Sequence, residues 1–309
     1  MADQSMRINE KKERSRYPLD DPIVQAFLAR RIAGREKWTF HVKAGASQPW
    51  FSPITVMVDW ENDGHTLRHF RNEHGKLRSR PQNTLYYFRP GFSWTRRAVR
   101  FIPYAIPTGC IPTVSRYMAF PKPGEVFATL GVAASNCASA FLRFYGEKFE
   151  WPNFLVENLK SLPWPNVPEP LRGALETLAE KEVSQRRRAY QTHEPFQEFT
   201  APSMILPSKI ETDALAYDAR SLLGSEFERE IALAYGLESS ELSVLERDLQ
   251  EALAVRRNRH DAAEDYDDEK DEDDEDKDFV LDTSLYAEQE ALISYAVGCG
   301  FGRWDIRMG

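Results

Sequence analysis

Leu85-Tyr86-Tyr87-Phe88-Arg89-Pro90-Gly91-Phe92-Ser93-Trp94-Thr95-Arg96-Arg97 is the stretch on which the reading of this chain turns, and Tyr104-Ala105-Ile106-Pro107-Thr108-Gly109-Cys110 follows it closely. Its rings, prolines and glycines are the vocabulary of short strands and turns. The same rings alternate with guanidinium groups, a pairing suited to gripping phosphates while packing against sugars or bases. Outward from this run, residues 38 to 164 stay rich in Trp, Tyr, Phe, Pro and Gly, and the apolar run 54–58 reads as a strand. A mixed, β-rich domain is expected over 38–167. One helix is expected inside it, over 125–145, where Val126, Leu130, Ala133, Ala134, Cys137, Ala138, Phe141 and Leu142 recur at helical spacing.

Beyond Pro165 the composition changes. Pro168-Glu169-Pro170 opens a stretch rich in Ala, Leu, Glu and Arg to about Gln191, with proline at the favoured first turn of a helix. Further helices are expected over 211–235, with Gly236 as the stop, over about 239–257 with Ser239 or Ser240 as the cap, and from Thr283 or Ser284 to Tyr295. The fold class is therefore α+β, a β-rich mixed domain followed by a helical domain. The divisions are a polar N-terminal segment over 1–37, the β-rich domain over 38–167, a helical region over 168–260, an acidic loop over 261–278, and a C-terminal helix and tail over 279–309.

Charge divides the chain as sharply as composition does. The net charge of -8 is dominated by residues 261–278, which hold 13 Asp plus Glu against 2 Lys. Residues 1–150 carry 23 Arg plus Lys against 13 Asp plus Glu. A basic half with interleaved aromatics points to nucleic acid as partner. The acidic run has too few apolar groups to offset its ordering entropy and reads as a disordered, self-repelling loop. The run lacks the glycine and spacing of a calcium loop.

Other chemistries find less support. No stretch approaches the roughly 18 apolar residues of a membrane span, and the polar first 16 residues lack a signal peptide's apolar block, so a cytoplasmic protein with no membrane partner is expected. Cys110, Cys137 and Cys299 fit neither a disulfide framework nor a metal knuckle and read as small core residues. His65, His69 and His74 lie close in sequence, yet in a loop-like segment without a fourth ligand at metal-site spacing. For a nuclease, Glu10-Lys11-Lys12 precedes Asp20 and Asp21, the reverse of the order that chemistry needs.

Four segments occur in an order that resembles a known family. They are Val58-Asp59-Trp60-Glu61-Asn62-Asp63-Gly64, Tyr86-Tyr87-Phe88-Arg89-Pro90-Gly91-Phe92-Ser93-Trp94, Ile106-Pro107-Thr108-Gly109-Cys110-Ile111 and Ser294-Tyr295-Ala296-Val297-Gly298-Cys299-Gly300-Phe301-Gly302-Arg303-Trp304. Together they resemble the C-terminal half of large single-chain adenine-specific DNA methyltransferases, including type IIG restriction-modification enzymes and the methyltransferases of BREX-type phage-defence systems. The resemblance implies target recognition, with S-adenosylmethionine bound and methyl transfer performed by an N-terminal catalytic domain of the family. The family's Asn/Asp-Pro-Pro-Tyr/Phe loop for a flipped adenine is not found in this sequence. Gly298-Cys299-Gly300-Phe301-Gly302 is better read as helix termination or packing than as a cofactor loop, because no α/β units follow it. No cofactor is assigned to this chain.

The chain is thus expected to be the recognition portion of a methyltransferase system, working on double-stranded DNA with a separate catalytic chain, or else a truncated remnant. An alternative is an interaction protein whose acidic run mimics nucleic acid or folds back on the basic face. Arg78, Arg80, Arg89, Arg96, Arg97 and Arg100 are the candidates for phosphate contact, one or two of them bidentate to guanine. Gln82 and Asn83 carry the amide pattern that pairs with adenine edges, or else form a turn around Pro81. Trp94 is a candidate contact as well. With Trp60, Tyr86, Tyr87 and Phe88 it serves either as a stacking residue or as part of the core on which the arginines sit.

Overall fold

In a computed structural model of the protein, the chain is α+β. Residues 21–34, 36–42, 48–79, 81–113, 117–145, 152–192, 198–202, 205, 221–260 and 288–300 are described below. The polar N-terminal segment up to residue 20, residues 211–220 of the expected 211–235 helix, the acidic run, Thr283 and Ser284, and the tail after Gly300 lie outside them.

After helix α1 (Pro22–Gly34), β1 (Trp38–Val42) takes the centre of a three-stranded sheet in the order β3-β1-β6. Its antiparallel neighbour is β3 (Val56–Asp59), with Trp38 opposite Asp59, and its parallel neighbour is β6 (Cys110–Pro112), with Phe40 opposite Cys110. The second sheet has the order β2-β5-β4-β7, where β2 is Trp50–Phe51, β4 is Gly91–Trp94, β5 is Pro103–Ile106 and β7 is Met118–Ala119. The expected strand over 54–58 forms as β3, shifted towards Asp59.

Both sheets and the helices share burial. On the first sheet, Val24 and Leu28 of α1 pack with Trp60, Tyr87, Phe88 and Ile111. Val42, Ile54, Tyr104, Ile106 and Cys110 form a second cluster. The largest cluster gathers Trp50, Phe92, Trp94, Phe101 and Phe154 with Leu130, Cys137 and Leu142, and continues into Leu175, Ile231 and Leu242 of the helical region. α3 (Val126–Ala133) lies against α6 (Glu169–Ala189) so closely that a Cβ on Gly131 would stand 3.1 Å from the Leu175 Cβ.

The single helix expected over 125–145 is two helices, α3 and α4 (Asn136–Tyr145), bent by 69°. At the bend, the Ser135 hydroxyl accepts the Ala138 amide proton, and the Asn136 amide is taken by a carboxylate from another helix. Side chains supply the partners that a continuous helix would have supplied from its own backbone. No single helix among the described residues is long and apolar enough to cross a membrane; this bent pair satisfies length and composition together, with most of its residues buried in the core.

After α5 (Val156–Ser161), α6 follows Pro168 as the sequence indicates. α7 (Ser225–Ala234) ends at Gly236, whose φ of 80° lets the Leu237 amide donate back to the Ala232 carbonyl. α8 (Ser239–His260) starts by another device than the expected serine cap. Glu238 offers its carbonyl to the first turn, and the Glu241 carboxylate reaches back to the Glu238 amide at 2.7 Å. α9 (Glu288–Gly300) carries Gly298, Cys299 and Gly300 in helical conformation, beyond the expected end at Tyr295.

Candidate nucleic-acid interface

β4 is an interior strand between β5 and β7, and all four of its residues are buried. That position decides the fate of Trp94. It is 1% exposed, its ring is surrounded by Phe92, Phe101 and Tyr117, and its indole N–H donates to the Phe154 carbonyl at 2.8 Å. Trp94 is a core residue and no surface contact, which corrects its inclusion among the DNA-contacting candidates.

Arg100 is corrected on the same ground. It is 1% exposed, and its Nη2 donates to the Ala134 carbonyl and to Asn136 Oδ1, each at 3.1 Å. A buried guanidinium requires hydrogen bonds and a counter-charge. The buried carboxyl of Glu228 in α7 lies within the field of this cation, which pulls against the burial that keeps that carboxyl protonated. Arg100 is therefore a structural cation, turned inward by the α3–α4 bend.

The remaining candidates divide by exposure. Arg78, Gln82, Asn83, Arg96 and Arg97 are exposed, Arg89 is half-buried, and Arg80 lies outside the described residues. Arg78 is anchored through its amide to the Phe70 carbonyl, beside the antiparallel bridge between Arg71 and Leu77. Asn83 adopts the left-handed conformation (φ 54°) that opens a 3-10 turn over Thr84–Tyr86. The turn thus begins at Asn83 instead of around Pro81, and both amide side chains are exposed. Arg96 Nε donates to Asn153 Oδ1 at 3.1 Å, the Arg96 carbonyl accepts from the Phe154 amide, and Arg97 forms a bridge with Asn153.

The amide pair precedes β4 by a 3-10 turn and the arginine pair follows it within three residues, β4 being a strand about 13 Å long. Between Glu73 and Glu125 the chain has no acidic residue and nine Lys plus Arg. Such a run gives a positive local field whichever of its cations face outward.

Structure sorts the aromatic residues. Trp60, Tyr87 and Phe88 are buried with Trp94, Tyr87 meeting Trp60 edge-on at 5.2 Å. Burial raises the Tyr87 hydroxyl above its usual range, against the opposing pull of Arg68. Phe88 is held in a left-handed conformation (φ 67°) by reciprocal hydrogen bonds, its amide to the Cys110 carbonyl and the Gly109 amide to its own carbonyl. Tyr86 alone of these faces outward, 46% exposed, and stacks on Phe120 with centroids 5.1 Å apart and planes inclined by 25°. Sequence reasoning missed Phe120 because the partners are 34 residues apart and meet only through the pairing of β4 with β7, which sets Phe92 opposite Ala119. The nearest signal was Phe120-Pro121-Lys122-Pro123-Gly124, a turn carrying a ring and a cation.

The segment around His65, expected to be loop-like, is helix α2 (Glu61–His69) with an unusual start. Asn62, Asp63 and Gly64 are all left-handed. Arg68 holds this turn by donating from Nε to the Asp63 carbonyl at 2.8 Å while its guanidinium lies 5.4 Å from the Trp60 ring centre. His65 and His69 stack at 4.2 Å, and a hydrogen bond links His69 Nδ1 to the His65 carbonyl. Among the described residues no group of three or more His, Cys, Asp or Glu is placed to hold a metal.

No family profile matches the chain. Over 282 residues, 90% of its length, it is 23% identical to the adenine-specific methyltransferase PglX of Lacticaseibacillus casei (strain Zhang), of which it spans 22%. This distant similarity supports a relationship to methyltransferase-related proteins.

Proposed function

We propose that this chain is the DNA-recognition portion of an adenine-specific methyltransferase system, of the restriction or phage-defence kind, and that methyl transfer is performed elsewhere. The observation that carries the reading is the extended similarity to PglX over a chain spanning only 22% of that relative. Support comes from the acid-free basic run and from the exposure of Arg78, Gln82, Asn83, Arg96 and Arg97. Arg96 and Arg97 grip phosphates at one end of β4 while the amides of Gln82 and Asn83 face base edges at the other. Double-stranded DNA is the ligand, and S-adenosylmethionine belongs to a catalytic partner or to further sequence. Register on the duplex is fixed here, and the adenine is extruded and methylated by the partner.

Duplex affinity measured across salt concentrations tests this reading. Replacing both Arg96 and Arg97 with Ala is expected to flatten the slope of log affinity against log salt by close to two phosphate contacts' worth. An unchanged slope would remove these residues from the interface.

A further inference from the structure

Exposure of a large ring is ordinary, but an exposed Tyr86 ring already stacked on a half-buried Phe120 within an acid-free basic run is a specific arrangement. Tyr86 is fixed by the 3-10 turn, in which its amide donates to the Asn83 carbonyl. Phe120 is fixed by its place directly after β7, where the chain passes so near β4 that a Cβ on Gly91 would fall 2.4 Å from the Ala119 carbonyl oxygen and 3.2 Å from Phe120 Cδ1. The glycine therefore lets the Phe120 ring lie close over the start of β4. Within four residues of Tyr86 or Phe120 in the sequence lie the exposed side chains of Gln82, Asn83 and Lys122, and Leu85, which is 57% exposed.

We propose that Tyr86, backed by Phe120, is a stacking platform for a nucleobase displaced from its pair, with Gln82 and Asn83 offered to the base edge and Lys122 to the flanking phosphate. The inference rests on the DNA-recognition reading above and adds the class of ligand, an unpaired base within a duplex. A π face accepts any base, so the platform supplies affinity for the distorted site, and the two amides supply whatever preference exists. Leu85 provides apolar bulk of the kind that enters an opened base step. Phosphate contacts by Arg96 and Arg97, beyond the other end of β4, are independent of it.

The test uses the full chain and two 25-base-pair probes identical except that one has a central mismatch, with affinity read by fluorescence anisotropy. The native protein is expected to prefer the mismatched probe. Tyr86→Ser should lose that preference by about fivefold or more while keeping the paired-duplex affinity and its salt slope. Tyr86→Phe should keep the preference, because stacking needs the ring and not the hydroxyl. Equal binding of both probes by the native chain, or an unaltered preference in a Tyr86→Ser protein of native melting temperature, overturns the platform and leaves DNA recognition standing. Binding of neither probe overturns the reading beneath it as well.

Discussion

The backbone amide of Asn136, the first residue of α4, donates a hydrogen bond to Glu228 Oε2 at 2.8 Å, across 92 residues of sequence. Around this contact Ser221 donates to Glu228 Oε1, Asn136 Nδ2 donates to Glu246 Oε1 in α8, and Arg100 donates to Ala134 and Asn136. The segment between β4 and β5, helix α4 and the helices α7 and α8 thus meet through a buried polar cluster as well as through the apolar core. Arg143, whose Nη1 donates to the Val99 carbonyl at 2.7 Å and whose Nη2 lies 3.5 Å from Asp248, ties the same elements nearer the surface.

Arg100 should therefore matter for stability and not for DNA. Arg100→Met removes the donor to two buried oxygens and the cation beside Glu228, and is expected to lower unfolding free energy by about 3 kcal/mol. Urea denaturation measures it. A folded, equally stable variant that binds DNA more weakly would reverse the assignment.

Glu228 makes stability depend on pH. Burial pushes its carboxyl from 4.5 to about 7, against the opposing effects of the Asn136 amide, Arg100 and the Ser221 hydroxyl, while Glu246 adds to the rise. Between those values the folded protein holds a proton that the unfolded chain has released. The contribution is fully present below about pH 4.5 and is lost as pH rises through about 7. Glu228→Gln, which stays neutral, should melt higher than the native protein at pH 8 and lose that advantage at pH 5. Melting curves at the two pH values decide the matter, and an advantage equal at both would sink the assignment.

Two glycines separate crowding from backbone strain. A Cβ on Gly64 would stand 2.7 Å from the Trp60 ring, whereas one on Gly75 meets nothing within 4 Å, and both residues have positive φ, 68° and 73°. Gly75→Ala should cost about 1 kcal/mol, the price of the left-handed conformation alone. Gly64→Ala should cost at least about 2 kcal/mol, because the Trp60 packing must also give way. Equal losses on denaturation would mean that the Trp60 contact contributes nothing.

The thiols should differ in reactivity. Burial pushes both Cys110 and Cys137 up to about 12, whereas Cys299 in α9 is only half-buried. Alkylation of the native protein at pH 8 is expected to modify Cys299 well before the other two. Mass spectrometry of the labelled peptides reads the order.

Local signals were the ones legible in the sequence. The start of α6 at Pro168 and the stop of α7 at Gly236 follow from backbone chemistry that any isolated segment shares. The α3–α4 bend was not legible, because its partners Arg100 and Glu228 come from distant segments and the intervening residues keep helical periodicity. Nor could composition tell the buried Arg100 from the exposed Arg96 and Arg97, since Arg-rich spacing says nothing of which guanidinium will find the Ala134 carbonyl and Asn136 Oδ1 in the core. The aromatic run presented the same ambiguity. Burial resolved it in favour of the core for every ring of the run except Tyr86.

Whether the chain recognises a DNA sequence is decided by selecting a random duplex library on the purified protein at moderate salt and sequencing the retained DNA. Expected is an enriched short motif that is lost in a variant with Arg96 and Arg97 changed to Ala, and altered at one or two positions when Gln82 and Asn83 are replaced by Ala. Retained DNA with no enriched motif, from a protein of native melting temperature, would contradict sequence recognition.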